Sequence, residues 1–419
     1  MPSIEKNIEI IRQNLTNDLH LYLDVLEKMV NINSFTANIT GINQLGDFTA
    51  SIFKSLGFMS EAIPSNNPKF GNHIFLTREG SSNKSMAMIS HLDTVFPPEE
   101  EIQNNFAWRV DGNRVYGPGT VDIKGGTVMI LIVLETLRRY FPEIFSSITW
   151  IIALDATEEV LSNDFGKLLN DRLDSNTIAC LVFEGGTPLS KKYPLVTARK
   201  GKANFKVLVE GRSAHAGNRH AQGANAIVQM SYTVQQIASL TDYEKLLTFN
   251  VGTIHGGSVV NRVPHFAEAD VEMRTFSPEY FQEGVNKILA LNGSSQVTSQ
   301  DGFACKVEIK QLDQTDPWQR NTETDRLFEI WKETGQKLNM QIIPEERGGL
   351  SDGNLLWKYF PTLDGLGPVG NNAHCSERSP DGSKDQEYVL ASSFVPKALL
   401  NVLGIVRLST IQTDTQTGK

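Results

Sequence analysis

The stretch Ser90-His91-Leu92-Asp93-Thr94-Val95 decides the fold, because it follows an uncharged apolar run with the composition of a buried strand. That run, Met86-Ala87-Met88-Ile89, delivers a histidine and a carboxylate at its end. Two later apolar runs also end at carboxylates, one at Glu158-Glu159 and the other at Glu184. Strands that end at such groups predict a metal site along one edge of a sheet.

The first half of the chain alternates between strand and helix patterns. The periodicity predicts an amphipathic N-terminal helix, helices near 44–56 and 126–140, and strands near 73–76 and 85–90. Such alternation favours a mostly parallel sheet covered by helices. In sheets of this kind, ligands gather at the carboxyl ends of the strands, which is where the histidine and the carboxylates fall.

The pattern changes after Arg199-Lys200-Gly201, where an α+β unit is inserted. Its elements are predicted as strands near 205–209, 249–254, 267–275 and 304–312, with helices near 223–240 and after Ser277-Pro278. The fold expected is therefore an α/β catalytic domain made of residues 1–199 and 314–419, interrupted by a separate domain over 200–313. The returning segment is predicted to end in a helix over about 387–408.

Composition excludes several classes of protein. A chain of 419 residues with 40% hydrophobic content can form two or three globular domains. A net charge of −9 without a basic cluster argues against nucleic acid as a partner. The three cysteines are widely separated, no secretory signal pattern opens the chain, and no apolar run approaches about 20 residues. We therefore expect a cytoplasmic protein that does not enter a membrane.

The candidate ligands are those that zinc prefers. Histidine nitrogens and carboxylate oxygens hold this ion, and a two-metal site needs one bridging carboxylate. Asp122 is the natural bridge, since neighbouring glycines allow close backbone approach there. Asp93 lies two residues beyond His91 and can orient its imidazole. Since Glu158 and Glu159 are adjacent, their side chains are expected to diverge, one as a ligand and the other as a general base.

Six motifs together resemble the two-zinc peptidase family of carboxypeptidase G, aminoacylase and succinyl-diaminopimelate desuccinylase. They occur in family order over nearly the whole chain: His91-Leu92-Asp93-Thr94-Val95, Gly119-Thr120-Val121-Asp122-Ile123-Lys124-Gly125-Gly126, Glu158-Glu159, Phe183-Glu184-Gly185, Ser213-Ala214-His215-Ala216-Gly217 and Gly367-Pro368-Val369-Gly370-Asn371-Asn372-Ala373-His374. The local sequence after Arg199 is most similar to that of carboxypeptidase G-type enzymes, which remove C-terminal glutamate-like residues.

The resemblance implies a role for each matching residue. One zinc ion would be held by His91, Asp122 and Glu184, and a second by Asp122, Glu159 and His374. Glu158 would be the base that activates the attacking water. The inserted domain would act as a lid and as a homodimer surface, and its His215 would stabilise the oxyanion.

The resemblance also implies residues that bind the substrate, a small peptide or an N-acyl amino acid with a free carboxylate. Arg274 matches the lid arginine of the family and would grip that carboxylate with its fork. Lys200 would add a second positive charge and Asn261 a hydrogen bond. Gly349 belongs to a Gly-rich loop that resembles the lining of the substrate pocket.

Two departures and three alternatives remain at this level. The loop between His374 and Glu387 is longer than in the family, and Asn163-Asp164-Phe165-Gly166 differs from the usual glycine-rich wording. An N-acyl amino acid deacylase is the alternative within the class, and a non-catalytic zinc-binding protein is one outside it. A cysteine nucleophile at Cys375 is a weaker alternative, because such a hydrolase gains nothing from five metal-type ligands.

Overall fold

The computed structural model describes residues 4–160, 164–189 and 192–414. The chain divides into two compact units. The first comprises Met1–Thr197, Arg320–Glu345 and Ser351–Lys419, and the second comprises Ala198–Gln319 and Glu346–Leu350. The predicted insertion, residues 200–313, lies inside the second unit, and its limits as a functional domain stay a prediction.

The first pass of the chain through the first unit alternates helices and strands. Its elements are α1 (Ile4–Val30), α2 (Ile39–Phe53), β1 (Met59–Pro64), β2 (Asn72–Arg78), β3 (Ser85–His91), α3 (Pro98–Gln103), β4 (Arg109–Asp111), β5 (Arg114–Tyr116), α4 (Lys124–Tyr140), α5 (Pro142–Ser147), β6 (Thr149–Asp155), α6 (Asp164–Arg172), β7 (Thr177–Val182) and β8 (Lys192–Arg199).

The second unit contains β9 (Gly201–Glu210), α7 (Ala226–Ala238), β10 (Thr248–Gly256), β11 (Phe266–Thr275), α8 (Pro278–Leu289) and β12 (Lys306–Thr315). The chain then returns to the first unit through α9 (Thr322–Lys337), β13 (Gln341–Arg347), α10 (Gly353–Leu356), β14 (Thr362–Leu363), β15 (Gly370–Asn371), β16 (Tyr388–Leu390) and α11 (Phe394–Asp414).

The first unit is built on a six-stranded sheet in the order β1-β2-β6-β3-β7-β14. The pairs β6-β3, β3-β7 and β7-β14 are parallel, whereas β1 and β2 join antiparallel at one side. This mixed, mostly parallel sheet confirms the predicted fold class. β3 lies inside the sheet and all seven of its residues are buried, which explains its uninterrupted apolar sequence.

The two faces of this sheet have separate hydrophobic cores. Met86 and Met88 of β3 belong to the larger core, which includes buried residues of α1, α4, α9 and α11. Ala87 and Ile89 point to the opposite face and pack with residues of α6 and α10. Because successive side chains of a strand alternate between faces, β3 contributes to both cores. Packing on both faces fixes its register in the sheet.

The second unit is a four-stranded antiparallel sheet in the order β10-β11-β9-β12, packed with α7 and α8. Alternate residues of β9, including Phe205, Val207 and Val209, are buried against these helices. The predicted helix start at Ser277-Pro278 is present, since the Ser277 side chain accepts the Tyr280 N–H and Pro278 occupies the first turn. Two further small sheets pair β8 with β13 and order β15-β16-β5-β4.

One predicted element is wrong at its start. The last helix begins at Phe394 and not at Glu387, because Tyr388–Leu390 forms strand β16 and pairs with β5. The aromatic and β-branched residues there satisfy a strand better than a helix. By length and composition, one segment of the described residues, Ala391–Thr410, qualifies as a membrane-spanning helix, but 61% of it is buried inside the protein. Buried core helices meet the same criterion, so this is weak evidence.

Candidate metal centre

Parallel strands bring the predicted ligands to one edge of the sheet. β3 ends at His91, β6 ends three residues before Glu158, and β7 ends two residues before Glu184. β3 pairs in parallel with both of the other strands, so the three carboxyl ends lie side by side. The sequence prediction that these residues meet at a sheet edge therefore agrees with the geometry.

Asp122 lies between two imidazoles. Its Oδ1 is 3.2 Å from Nε2 of His91, and its Oδ2 is 3.2 Å from Nε2 of His374. Nε2 of His374 is also 3.1 Å from Oε2 of Glu159, while Nε2 of His91 is 3.8 Å from Oε1 of Glu184. Each oxygen of one carboxylate thus faces a different histidine, as a bridging ligand requires.

Among the residues that the structure describes, three groups of side chains offer ligand atoms within 4.8 Å of one another. They are His91-Asp122-Glu184, Asp122-Glu159-His374 and His91-Glu158-Glu159. The first two coincide with the ligand sets implied by the family resemblance. In the third, the two glutamates place one oxygen each beside the same histidine, so the expected divergence of their side chains is incomplete. A short 3-10 turn over Glu158–Val160 brings them to the same side.

Asp93 accepts hydrogen bonds from the backbone of the turn that carries Glu158 and Glu159. Its Oδ1 accepts the backbone N–H of Glu158 at 3.2 Å, and its Oδ2 accepts that of Glu159 at 3.1 Å. The hydroxyl of Thr36 also donates to Oδ2, at 2.8 Å. Nδ1 of His91 is 3.0 Å from the backbone carbonyl of Asp93 and 3.4 Å from its carboxylate. The same residue therefore contacts one candidate ligand and the backbone of two further site residues.

Burial and mutual repulsion govern the charges of the acids. Burial raises the pKa of Glu158 well above its ordinary value, and the charges of Glu159 and Glu184 add to this although His91 opposes it. Burial and the charge of Asp122 likewise raise the pKa of Glu159. Crowded, buried carboxylates of this kind favour either a bound proton or a bound cation.

Hydrogen bonds favour the charged forms of the two histidines and of Asp122. Hydrogen bonds to Asp122 and Glu159 raise the pKa of His374 to about 11. Burial lowers the pKa of His91, but hydrogen bonds to Asp122 and Asp93 outweigh it and raise the pKa well above its usual value. Burial opposes ionisation of Asp122, yet its hydrogen bonds to both histidines hold its pKa below the usual range. A strong positive charge is thus favoured on either side of Asp122.

The donor set fits divalent metal ions. Oε1 of Glu159 is buried and accepts no hydrogen bond from any described residue. A buried carboxylate oxygen without a partner costs free energy unless a proton or a cation compensates it. Imidazole nitrogens and carboxylate oxygens are the ligands that zinc takes in catalytic sites. The residues present therefore suit a metal centre with Asp122 in the middle.

Glu387 shapes the loop that carries Asp122. It is fully buried, and its Oε1 accepts the backbone N–H groups of Val121 at 2.8 Å and Asp122 at 3.1 Å. Burial, and then the charge of Asp122, raise the pKa of Glu387 to about 8. A Cβ on Gly126 would lie 2.1 Å from the Phe183 carbonyl oxygen, so only glycine lets helix α4 start this close to the end of β7.

Several site residues escaped the sequence analysis. Asp352 is buried, and burial together with the charges of Asp155 and Glu158 raises its pKa well above the ordinary value. It lies in the Gly-rich loop from which only Gly349 was selected, so its position in that motif was the available signal. Thr36 offered no signal, because a lone threonine far from the other motifs has nothing to mark it.

The residues predicted to bind substrate lie in the second unit. The Arg274 guanidinium pairs with both carboxylate oxygens of Glu272, at 2.6 Å from Nε and 3.1 Å from Nη2, and Nη1 donates to the Gly348 carbonyl at 2.9 Å. Burial and the charge of Arg274 lower the pKa of Lys200. The Gly349 carbonyl accepts a hydrogen bond from Arg199 at 3.1 Å.

His215 and Asn261 meet within the same unit. The Asn261 carbonyl accepts the backbone N–H of Ala216 at 3.0 Å, next to His215. Nδ1 of His215 accepts the backbone N–H groups of Gly217 and Asn218, both at 3.1 Å. The ring therefore carries its proton on Nε2, and that nitrogen is a hydrogen-bond donor.

Comparisons with known proteins agree with this fold. Residues 197–291 match the peptidase dimerisation domain of the M20 family. The chain is 30% identical over 284 residues to carboxypeptidase G2 of Pseudomonas sp. strain RS-16, which covers 68% of this chain and 67% of the relative. It is 27% identical over 252 residues to acetylornithine deacetylase of Erwinia tasmaniensis, covering 57% and 61% of the two chains.

Solved structures show the same fold. Aminopeptidase PepT of Bacillus cereus superposes with a TM-score of 0.71 at 18% identity, covering 93% of this chain and 99% of that one. An M20 family metallo-carboxypeptidase of Sulfolobus solfataricus, Sso-CP2, gives a TM-score of 0.68 at 14% identity, with coverage of 93% and 99%.

An α/β unit with histidines and carboxylates at its strand ends, joined to a dimerisation domain, defines a metal-dependent hydrolase. The chain belongs to the M20 family of metallopeptidases and amidohydrolases. Membership of this family of enzymes disfavours the alternative of a non-catalytic zinc-binding protein.

Substituting Asp93 by asparagine tests its place under the glutamate turn. The new amide group cannot accept both backbone N–H groups, so the turn should shift and metal affinity should fall by about 10–100-fold. Isothermal titration of the metal-free protein with Zn²⁺ measures this, with Thr36→Val as a control that removes one hydrogen bond to the same carboxylate. Unchanged affinity in a folded Asp93→Asn protein would contradict the assignment.

Proposed function

We propose that this protein is a two-zinc exopeptidase that cleaves an amide bond next to a free carboxylate and releases a C-terminal glutamate-like residue. The observation that carries the proposal is the Asp122 carboxylate, whose two oxygens face His91 and His374 among three further acids. The similarity to carboxypeptidase G2 supports the choice of substrate.

The ligand sets follow from the two outer groups of the site. His91, Asp122 and Glu184 would hold one ion, and Asp122, Glu159 and His374 the other. When bound, zinc ions supply Lewis acidity that activates water near neutral pH and polarises the substrate carbonyl. The protein contributes the spacing between the two sets, since Asp122 belongs to both.

Glu158 is the proposed general base. It is the one glutamate of the turn that neither outer ligand set uses, and its Oε2 lies 4.0 Å from Nε2 of His91. Burial raises the pKa of Glu158 above its ordinary value, which makes it a stronger proton acceptor than an exposed glutamate. It takes a proton from the attacking water and then gives it to the leaving amine.

His215 is the proposed oxyanion donor. Two backbone N–H groups fix Nδ1 as an acceptor, so Nε2–H is held ready to donate to a carbonyl oxygen that gains negative charge. Asn261 would add a side-chain hydrogen bond to the substrate beside it. Neither role requires a change in protonation of the imidazole.

Arg274 and Lys200 are the proposed partners of the substrate carboxylate. Arg274 already pairs with the carboxylate of Glu272. A substrate carboxylate must therefore share the Arg274 guanidinium with Glu272 or displace Glu272 from it. Lys200 lies close enough for the charge of Arg274 to lower its pKa, so the two cations form one positive region. The carbonyl groups of Gly348 and Gly349 accept hydrogen bonds from Arg274 and Arg199, respectively.

An N-acyl amino acid deacylase is the second candidate. The relative from Erwinia tasmaniensis is named an acetylornithine deacetylase, and the same metal chemistry serves both reactions. The two candidates differ in what they require beside the scissile amide. An exopeptidase of the proposed type depends on the glutamate-like residue, whereas a deacylase tolerates other amino acids that carry the acyl group.

Substituting Glu158 by glutamine should abolish turnover without removing the metal. Loss of a general base typically lowers kcat by about 10²–10⁴-fold, and glutamine keeps the size of the side chain. Steady-state kinetics and metal analysis of the same sample measure both quantities. Glu143→Gln, an exposed glutamate of α5, is the matched control. Full activity of Glu158→Gln would overturn the mechanism.

Substituting Arg274 by alanine should remove the preference for a free carboxylate. An N-acyl-glutamate should be cleaved faster than its α-carboxamide and than N-acetylornithine, and Arg274→Ala should lower kcat/KM for the acid by about 10–100-fold. Glu272→Gln should lower KM, because Arg274 loses its internal carboxylate partner. Glu268→Gln on the same strand is the control. Equal rates on N-acyl-glutamate and N-acetylornithine in the native enzyme would favour the deacylase, and equal rates on acid and carboxamide would contradict the role of Arg274.

We also propose a homodimer formed through the second unit. β10 is an edge strand, and it exposes Ile254, while α7 exposes Val228 and Tyr232. An exposed edge with apolar neighbours is a surface suited to pairing with another chain. The match to a peptidase dimerisation domain covers these elements.

Charges placed on this surface should separate the subunits. The pair Val228→Asp and Ile254→Asp should convert a dimer into a monomer at micromolar concentration, because each carboxylate would be buried without a partner. Analytical ultracentrifugation measures the mass. Ile102→Asp, at an apolar position of the first unit that is 81% exposed, is the control. A native protein that is already monomeric would refute the proposal.

A further inference from the structure

His73 is a buried histidine that the metal centre does not use. It lies on β2 and is fully buried. β2 and β6 are antiparallel with Ile74 opposite Leu154, so the next step of the register places His73 opposite Asp155. Asp155 is the last residue of β6, immediately before the glutamate turn.

The imidazole lies between two buried carboxylates. Nδ1 is 3.0 Å from Oδ1 of Asp155, and Nε2 is 3.3 Å from Oδ2 of Asp164. The ring stacks on Phe165 with a centroid distance of 5.2 Å. Burial lowers the pKa of His73, but Asp155 and Asp164 outweigh this and raise it. Each ring nitrogen therefore lies close to the oxygen of a different carboxylate.

Asp155 shapes the start of the glutamate turn. Its Oδ1 accepts the Thr157 backbone N–H at 2.8 Å and the Thr157 hydroxyl at 2.9 Å. Its backbone carbonyl accepts the N–H of Leu92 at 2.6 Å, directly after His91. The residues that follow Thr157 are Glu158 and Glu159. One aspartate thus joins the end of β3 to the turn that carries the proposed base.

The two nitrogens of His73 face different parts of the fold. Nδ1 faces the turn, where it accepts the backbone N–H of Ala156 at 3.2 Å. Nε2 faces Asp164, which accepts hydrogen bonds from the Ser65 hydroxyl at 2.9 Å and the Asn66 backbone at 2.7 Å. The Nε2 side therefore anchors a loop after β1, and the Nδ1 side contacts the catalytic region.

We propose that His73 is a positioning residue for Glu158 and Glu159, acting through Asp155. The inference rests on the proposed function, because that function assigns the roles of Glu158 and Glu159. The His73 side chain itself touches neither the substrate nor a metal ligand. Nδ1 contacts the Asp155 carboxylate and the Ala156 backbone, Asp155 accepts the hydrogen bonds of Thr157, and the turn then places Glu158 beside His91. Loosening the first contact moves the base and the ligand together.

Asparagine and glutamine at position 73 separate the two contacts. Asparagine places an amide N–H near the position of Nδ1, and glutamine places one near that of Nε2. Both variants lose one buried hydrogen bond and should lose stability alike in urea unfolding. If the Asp155 contact positions the turn, His73→Gln should lower kcat about 10–100-fold at unchanged KM, while His73→Asn stays within about threefold.

Zinc titration of the metal-free variants provides a readout that does not depend on turnover. His73→Gln should weaken one of two binding events, the one that involves Glu159, and His73→Asn should leave both near the native values. Asp164→Asn, which weakens the contact with Nε2 and the loop after β1 but leaves the Nδ1 side in place, should reduce stability without changing kcat or zinc affinity. Equal kcat and equal zinc affinity in His73→Asn and His73→Gln would overturn the proposal.

The outcome is separable from that for the proposed function. If Glu158→Gln keeps full turnover, the assignment of the base fails, whereas the contrast between the two His73 variants in zinc affinity still tests the contact with Asp155. If Glu158→Gln is inactive and the two His73 variants behave alike, the base assignment stands and the positioning role fails.

Discussion

The contact of one carboxylate with two imidazoles is the interaction on which the rest of the site depends. Asp122 places one oxygen 3.2 Å from each of His91 and His374. Its own pKa is held low, while the pKa of each histidine is raised. The surrounding glutamates resist ionisation because they are buried next to this charge. Bound cations stabilise a site of this kind most, because they relieve the repulsion between its carboxylates, which burial strengthens.

Backbone N–H groups fix the loops that carry these residues. Glu387 accepts two of them from the Asp122 loop, and Asp93 accepts two from the glutamate turn. Asp155 accepts another from Thr157 in the same turn. Irregular loops cannot satisfy their backbone groups among themselves, so buried side-chain oxygens must do it. The sheet edge is consequently rich in acids for two separate reasons, ligation and loop support.

The sequence predicted the fold and the strand-end candidates His91 and Glu184 because these depend on local patterns, whereas the division of the ligands into two sets was implied by the family resemblance. An apolar run that ends in His91 or Glu184 is visible in any short window, and parallel pairing brings such ends together. Glu387 supports Asp122 from 265 residues away, and Asp164 meets His73 from 91 residues away. No local sequence pattern predicts hydrogen-bond partners that are so distant along the chain. The pairing of Arg274 with Glu272 is close in sequence, yet a strand pattern alone does not say which neighbour a side chain chooses.

Hydrogen bonding separates the acids that support the fold from those suited to ligation. Asp93, Asp155 and Glu387 each accept backbone N–H groups, which ties their carboxylates to the loops that they support. Asp122 instead directs both oxygens to imidazoles, and Oε1 of Glu159 accepts no hydrogen bond from the described residues. Asp93 lies two residues from His91 and is as buried as any acid of the site. Its partners, rather than its position, assign it to the support of the glutamate turn. His73 extends the same logic by one step, because it holds a supporting aspartate and not a ligand.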